Sequence, residues 1–273
     1  GPAGLGVGYY AKKNKIPVSI YELSNSVGGN SRTILNGEFR YDTGAHRLHN
    51  KHDSVTQMVR ELLGEDLKKV SVPSKIYHNR SMIDFPLNVI NLLQFLQTSD
   101  LIKIMKENLL NRIKPKKDIK SFKELAYQSY GKTLSELFLI NYTEKLWGKN
   151  SDELDPNISG KRLKNLDFFS IIKSLILGKY NTTHLDGSFL YPKYGFGTIF
   201  DELANTIGNE NIFLDSKVEK IIHDGNKINQ IVYSNGKSFK PGLVVNTLPL
   251  TILGNAFDPK PPENIIECIN DIQ

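Results

Sequence analysis

The sequence is poor in the residues that build disulfide frameworks and metal centres. It contains a single cysteine, Cys268, in 273 residues, which excludes a disulfide framework and a cysteine-based metal site. Its six histidines show no His-Glu-x-x-His or comparable spacing, so no metal site is predicted. Because a chain without disulfides is typical of a reducing compartment, a cytoplasmic location is the expectation.

Long apolar runs are also missing. No apolar stretch reaches the roughly 18 residues expected of a membrane-spanning helix. Hydrophobic residues make up 39% of the chain and charged residues 23%, proportions that exclude disordered and collagen-like classes. The length allows one large globular domain or two modest ones.

Acidic residues are too few to balance the basic ones, and the net charge is +6. Between Lys103 and Lys120 there are seven Lys and Arg residues against Glu107 and Asp118. Such a segment is typical of a solvated helix end, or of a surface that faces an anionic substrate or anionic lipid. Both interpretations stay open, and the second predicts peripheral membrane contact. Basic and aromatic residues do not alternate here, so binding to a nucleic-acid polymer is not expected.

A glycine-rich turn opens the chain. Gly1 to Gly4 lead into a helical pattern that ends near Asn14, and a short apolar strand over residues 17–22 then ends in Glu22. Glycines let the backbone approach a pyrophosphate at a helix N-terminus, and an acid about 20 residues later binds a ribose. Each feature alone is also typical of an ordinary turn or strand end. Together they predict a dinucleotide-binding turn.

This fingerprint is incomplete at its start. A full Gly-x-Gly-x-x-Gly turn has a further glycine two residues before the position of Gly1, and a strand before that. We therefore expect the sequence to be truncated at its N-terminus.

The order of the elements predicts one domain interrupted by another. Hairpins with turns at residues 36–37 and 79–80, a helix over 54–63, a mostly helical block over 87–177, a helix from Gly197 and strands over 217–247 follow one another. The last of these strands is predicted at 243–247. We expect a cofactor domain built from residues 1–73 and 205–273, with a mainly helical substrate domain over 74–204.

Five motifs occur in a familiar order. They are Gly-Pro-Ala-Gly-Leu at 1–5, Val-Gly-Gly-x-x-Arg-Thr at 27–33, Tyr-Asp-Thr-Gly-Ala-His-Arg at 41–47, Lys-Val-Glu-Lys-Ile-Ile at 217–222 and Val-Val-Asn-Thr-x-Pro at 244–249. They resemble the superfamily of FAD-dependent amine oxidases, protoporphyrinogen oxidases and UDP-galactopyranose mutases. The resemblance implies an α/β fold of the glutathione-reductase type, with a Rossmann-like FAD-binding domain. It also implies a flavin-covering segment after Gln273, so truncation at both ends is expected.

The resemblance also implies which residues contact FAD. These are Gly1, Pro2, Ala3, Gly4, Glu22, Gly28, Gly29, Arg32, Asp42, Gly44, Ala45, His46, Val218, Asn246 and Thr247. Two residues separate Gly29 from Arg32, whereas relatives usually carry the arginine directly after the paired glycines. His46 is also the candidate catalytic residue, either as a proton relay or as a structural histidine that hydrogen-bonds the cofactor.

Two reactions and one non-catalytic role follow from the resemblance. His46-Arg47 and residues 191–204 are similar to protoporphyrinogen oxidases, which implies hydride transfer from an organic substrate to flavin. Residues 142–148 and the spacing of His46 and His49 are similar to UDP-galactopyranose mutases. That similarity implies a sugar-nucleotide isomerase that uses reduced flavin in polysaccharide biosynthesis. A flavin-fold scaffold without catalysis is the third interpretation.

Substrate contacts are expected mainly from the helical domain. The candidates are Tyr142, Lys145, Trp147, Arg162 and Tyr191. For Trp147 the competing interpretation is a core aromatic at a helix end. For Lys145 and Arg162 it is solvated surface. The expected partner is a small molecule, and a nucleotide sugar in the mutase interpretation.

Overall fold

The structure is a computed structural model with two compact units. It describes residues 1–72, 74–78, 80–85, 95–113, 115, 118–159 and 188–272. The first unit joins Gly1–Val70 to Phe189–Gln273, and the second comprises Ser71–Ser188. Each unit has its own hydrophobic core.

Helices and strands alternate at both ends of the chain. The helices in the described ranges are α1 (Pro2–Lys13), α2 (Asp53–Leu63), α3 (Thr98–Ile113), α4 (Phe122–Tyr130), α5 (Lys132–Ser135), α6 (Asn141–Trp147), α7 (Thr198–Ile207), α8 (Leu250–Ala256) and α9 (Glu263–Asn270). The strands are β1 (Ile20–Tyr21), β2 (Thr33–Asn36), β3 (Phe39–Asp42), β4 (Leu67–Ser71), β5 (Ser74–His78), β6 (Ser81–Phe85), β7 (Ser188–Pro192), β8 (Ile212–Phe213), β9 (Val218–His223), β10 (Ile228–Tyr233), β11 (Ser238–Phe239) and β12 (Phe257–Asp258).

The core of the first unit forms where α1 and α2 pack on α7. Leu5, Leu203 and Ile207 are almost fully buried there. Gly8 makes the close approach of α1 possible, because a Cβ at this position would lie 2.5 Å from Ile20 Cδ1 and 2.9 Å from Ile207 Cδ1. The packing of these helices places the start of α1 beside the end of β1.

Strand pairing joins the two ends of the chain. β1 pairs in parallel with β8, with Ile20 opposite Ile212. A four-stranded sheet has the order β11-β10-β9-β12, in which β12 is parallel to β9. Tyr21 stacks on Tyr233 of this sheet with ring centroids 4.5 Å apart. The arrangement is a mixed α/β one.

The second unit is helical with one hairpin. Its core includes Ile83 of β6, Ile104 of α3 and Phe122 of α4. Glu107 fixes the start of α5, because its carboxylate accepts hydrogen bonds from Thr133 N at 2.7 Å and from Thr133 Oγ1 at 2.8 Å. Ser121 caps α4 by accepting from Glu124 N at 3.3 Å.

Most predicted elements that fall in the described ranges are confirmed. The hairpin turn at 36–37 connects β2 to β3, β5 pairs antiparallel with β6 as the second predicted hairpin requires, and α2 ends at Gly64 as expected. The strand predicted at 243–247 is wrong, because this segment pairs with no strand in the described part of the chain. The strand predicted over 17–22 is reduced to its last residues, Ile20–Tyr21. Much of the helical block, 86–94 and 160–187, lies outside the described residues.

The predicted boundary at 204/205 falls inside α7. That helix belongs wholly to the first unit, which resumes at Phe189. The reason is its packing, since Ile199, Leu203 and Ile207 are buried against α1 and α2. No helix within the described ranges combines the length and the apolarity needed to cross a bilayer.

Candidate cofactor-binding site

The N-terminus of α1 meets the end of β1 at Glu22. The helix begins directly after Gly1, and its first peptide N–H groups are not used within the helix. Glu22 Oε2 lies 2.7 Å from Gly1 N, and Oε1 accepts a hydrogen bond from Ser24 N at 3.0 Å. A helix N-terminus and a fixed carboxylate therefore lie side by side, as the sequence spacing predicted.

The protonation state of Glu22 suits a hydrogen-bond acceptor. Burial of its carboxyl raises the pKa, and the hydrogen bond from Ser24 N lowers it. A glutamate is a carboxylate at neutral pH, so Glu22 offers oxygens that accept hydrogen bonds.

The second glycine turn lies against the first. Gly28 adopts the left-handed conformation with φ of 93°, and Gly29 follows with φ of 55°. A Cβ at Gly29 would lie 3.1 Å from Gly1 Cα. Two glycine motifs that are 28 residues apart in sequence thus form one continuous backbone surface.

The segment after the small sheet returns to the same place. A Cβ at Gly4 would lie 3.4 Å from Thr247 Oγ1, so Thr247 contacts the first turn of α1. Asn246 holds this segment in a turn, since its Oδ1 accepts a hydrogen bond from Leu248 N at 3.2 Å. Both predicted residues therefore lie at or next to the helix N-terminus.

These features fit the adenosine diphosphate half of FAD. A pyrophosphate needs free N–H groups at a helix N-terminus and glycines that let it approach the backbone, and a ribose needs an acceptor such as Glu22. The structure provides the three together around Gly1. When bound, the flavin supplies the redox chemistry, and the protein supplies binding and orientation.

His46 is held by the loop that follows Gly29. Its Nε2 lies 2.9 Å from Asn30 O, and Thr43 Oγ1 donates to the same carbonyl at 2.5 Å. The imidazole also stacks on Phe196, with centroids 5.1 Å apart. Since Asn30 O only accepts, the ring donates from Nε2, and a neutral ring then carries its lone pair on Nδ1. Thr43 and Gly44 form the bend that brings the ring back to this carbonyl, and Ala45 follows the bend.

Asp42 connects the β2–β3 hairpin to the segment after β7. Its Oδ1 accepts from Thr33 Oγ1 at 2.5 Å and from Phe196 N at 3.0 Å, while Oδ2 accepts from Tyr191 OH at 2.5 Å. Gly197 N donates to Thr33 Oγ1 at 2.8 Å. We name these residues, Thr33, Asp42, Tyr191, Phe196 and Gly197, the Asp42 network. Through these hydrogen bonds Asp42 and Tyr191 have a structural role, in addition to the cofactor contact predicted for Asp42 and the substrate contact predicted for Tyr191.

The sequence gives no local signal for the Asp42 network. Asp42 and Tyr191 are 149 positions apart, and Thr33 and Phe196 were not predicted as site residues. The glycines at 195 and 197 are the sequence feature that could have indicated this network, because both allow the chain to pass directly over Thr33.

Tyr191 predicts a measurable pH dependence. Burial, followed by the hydrogen bond to Asp42, raises the pKa of Tyr191 to about 12. An acid with a raised pKa keeps its proton longer in the folded than in the unfolded chain, so stability falls as pH rises from about 10 towards 12. We expect Tyr191→Phe to lose less stability over this range than the unmodified chain, measured by urea unfolding at a series of pH values. The exposed Tyr10→Phe serves as the control, and an equal slope in all three proteins would contradict the assignment.

Arg32 and Val218 occupy defined positions nearby in the first unit. Arg32 follows the short 3-10 turn at Gly29–Ser31 with extended backbone, and its carbonyl accepts from Thr43 N at 3.4 Å. Val218 begins β9 opposite Tyr233. Cofactor contacts from these two residues stay a prediction.

The predicted substrate residues are divided between the units. Tyr142, Lys145 and Trp147 lie on α6 in the second unit, whereas Tyr191 belongs to the Asp42 network in the first. Trp147 is 51% exposed and Tyr142 is 62% exposed. The core interpretation of Trp147 is therefore wrong. Arg162 lies outside the described residues.

A basic cavity that was not predicted lies directly after His46. It has a volume of about 220 Å³ and is lined by Arg47, Leu48, His49, Lys51, His52, Val55 and Thr56. Arg47 also lies over the Phe189 ring, with Cζ 4.9 Å from the centroid. Four of the lining side chains carry a positive charge or an imidazole, a composition that suits an anionic group. The sequence signal was the spacing of these four residues within 47–52.

Comparison with known families decides the classification. The family model described as flavin containing amine oxidoreductase matches residues 2–272. The chain belongs to this family. Membership confirms the predicted resemblance and FAD as the cofactor.

Curated relatives of this amine oxidoreductase chain are distant in sequence. A corticosteroid-binding protein of Candida albicans is 26% identical over 277 residues, covering 93% of this chain and 52% of that protein. The mitochondrial protoporphyrinogen oxidase of Nicotiana tabacum is 23% identical, covering 80% of this chain and 48% of the enzyme. The chain thus spans about half the length of the curated relatives it matches.

Solved structures share the fold of this flavin amine oxidoreductase chain. Reduced UDP-galactopyranose mutase superposes with a TM-score of 0.81 at 18% identity, covering 94% of this chain and 56% of that one. Cyclohexylamine oxidase from Brevibacterium oxydans gives a TM-score of 0.64 at 15% identity, covering 97% and 60%. The α/β fold class is confirmed at this level.

Proposed function

We propose that the protein is an FAD-dependent oxidoreductase in which an organic substrate gives a hydride to the flavin. The observation that carries the proposal is the meeting of both glycine turns, Glu22 and Thr247 at the N-terminus of α1. Membership of the flavin-containing amine oxidoreductase family supports it, as do the protoporphyrinogen oxidases of tobacco and of Arabidopsis thaliana among the relatives.

The chain's own residues divide the work in this proposal. Residues 1–4 and 28–29 offer backbone to the pyrophosphate, and Glu22 accepts hydrogen bonds from the ribose. His46 is oriented by Asn30 and Phe196, and its Nδ1 is the nitrogen that would accept a proton. The Asp42 network keeps the hairpin that carries residues 43–46 in place.

A sugar-nucleotide isomerase is the second candidate. One observation favours it: the basic cavity after His46, which suits a diphosphate. The shared fold with UDP-galactopyranose mutase is compatible with this reaction as well as with the oxidase reaction. In this reading the flavin acts in its reduced form and the overall reaction has no net oxidation.

One experiment separates these functions. The full-length protein is purified, its visible spectrum is recorded, and it is reduced with dithionite with and without UDP-sugars. Bound flavin with turnover of an artificial electron acceptor, indifferent to UDP-sugars, supports the oxidoreductase. Reduced flavin that tightens on UDP-sugar supports the isomerase. A colourless protein would overturn both and leave a binding role, of the kind that the name of the Candida albicans relative describes.

Glu22→Ala tests the cofactor site itself. We expect FAD retention to weaken about tenfold to 100-fold, since a hydrogen bond to a charged acceptor contributes about 1.5–3 kcal/mol. The measurement is the dissociation constant for FAD from fluorescence recovery of the released flavin. Glu38→Ala, an exposed acid at the β2–β3 turn, is the matched control. Equal retention in the two variants would remove the ribose-binding role of Glu22.

A further inference from the structure

One side of α3 in the second unit exposes an apolar stripe. Ile102, Met105, Leu109 and Ile113 follow each other at intervals of three and four residues, which places them on one side of a helix. The first three are each 55% exposed and Ile113 is 75% exposed. Four aliphatic side chains in a row at this exposure form a continuous surface feature, unlike the scattered apolar residues that any protein surface carries.

The opposite side of α3 already provides the core contacts of the unit. Ile104 is 1% exposed and Asn108 is 5% exposed. Asn108 Nδ2 donates to Ile104 O at 2.8 Å and to Tyr130 O at 2.9 Å, and Glu107 binds Thr133 of α5. Since these contacts fix the packed side of α3, the apolar stripe is not an extension of the core.

Positive charge accompanies the stripe. Lys106 lies within it, between Ile102 and Leu109 on the same side of the helix, and Lys103 and Arg112 lie at its edges. The two acids of α3 are engaged elsewhere, since Asp100 pairs with Lys103 at 3.3 Å and Glu107 accepts from Thr133. The exposed side of α3 is therefore both apolar and cationic.

We propose that α3 docks in the plane of an anionic lipid surface, with the stripe entering the acyl boundary and the lysines on the headgroups. An interfacial helix presents aliphatic side chains together with cations on one side, and the exposed side of α3 has both. The aliphatic stem of Lys106 lies along the stripe while its ammonium group reaches the headgroup level. A single helix binds such a surface without spanning it. The proposal does not depend on the oxidoreductase function.

The test measures how the full-length protein partitions onto vesicles. Vesicles of phosphatidylcholine with phosphatidylserine are compared with vesicles of phosphatidylcholine alone, in a flotation assay at low and high salt. We expect binding to the anionic vesicles that weakens with salt, because headgroup attraction is screened. Binding to neither kind of vesicle would overturn the proposal.

Two variants identify α3 as the contact. Lys103→Gln with Lys106→Gln removes two cations, each worth about fivefold in partitioning, so we expect a loss of about 25-fold. Leu109→Ser removes one member of the stripe, and we expect a smaller loss since a buried aliphatic side chain contributes about tenfold. The matched controls are Lys12→Gln with Lys13→Gln, and Ile16→Ser, which is 58% exposed in the native chain.

Other occupants of the stripe give different results. If another part of the chain covers it, Leu109→Ser lowers the melting temperature and leaves partitioning unchanged. If a second copy covers it, the mass in solution rises with concentration and Leu109→Ser abolishes that rise without affecting partitioning. Either result overturns lipid docking, whereas selective loss of vesicle binding in both α3 variants supports it.

Discussion

Gly197→Ala is expected to lower the free energy of unfolding by about 3 kcal/mol, at the upper end of the cost of overpacking. A Cβ at this position would overlap the backbone nitrogen of Thr33 and lie 3.1 Å from the carbonyl carbon of Arg32. Backbone atoms cannot rotate away as the end of a side chain can. The hairpin or the segment after β7 must therefore shift, which breaks the 2.8 Å hydrogen bond from Gly197 N to Thr33 Oγ1.

Urea unfolding of the alanine variants measures this cost. Gly242→Ala is the matched control, because a Cβ there meets nothing within 4 Å. We expect the control to stay within about 0.5 kcal/mol of the native chain, as exposed substitutions do. If Gly197→Ala behaved like Gly242→Ala, the direct passage of residues 195–197 over Thr33 would be refuted.

Asp42→Ala is expected to lower the free energy of unfolding by about 2–4 kcal/mol, because it leaves three hydrogen-bond donors of the Asp42 network without their acceptor. These are the Thr33 hydroxyl, the Tyr191 hydroxyl and the Phe196 N–H. Tyr191→Phe removes one of the three contacts and should cost less. In the double variant the two losses should not add, since the Tyr191–Asp42 hydrogen bond is absent after either change.

Asp224→Ala is the control that separates the effect of burial from the loss of the hydrogen bonds themselves. Asp224 also accepts three hydrogen bonds, from Asn226 N, Lys227 N and Asn229 Nδ2, but it lies in an exposed turn. Water replaces the lost acceptor there, so we expect a much smaller loss of stability than for Asp42→Ala. Equal losses in chemical denaturation, or additivity in the double variant, would argue against the Asp42 network as a stabilising unit.

Local signals explain what was predictable. The Asn36-Gly37 turn and the glycine at 64 act through backbone conformations that few other residues adopt, so the β2–β3 hairpin and the end of α2 were readable directly. The glycine turns and Glu22 were readable because a helix N-terminus beside a strand end constrains spacing as well as composition. The residues that indicate each of these features lie within a short stretch of the sequence.

Contacts between distant segments explain the rest. The apolar run at 243–247 predicts a strand, yet a strand requires a partner, and the described residues place none beside it. The helix predicted from Gly197 is divided by the expected domain boundary at 204, whereas Leu203 packs against α1 and α2 and keeps the whole of α7 in the first unit. The placement of Tyr191 with Asp42, rather than with Tyr142 and Trp147, depends on tertiary structure alone.

The parallel pairing of β1 with β8 constrains how the protein is made. During synthesis, Ile20 leaves the ribosome long before Ile212, so the β1–β8 pair can form only after the whole of the second unit has emerged. This unit is contiguous in sequence, and the core residues described for it, from Ile83 to Leu154, have all emerged by then. We therefore expect closure of the β1–β8 pair to be a late step in folding, after the second unit has left the ribosome.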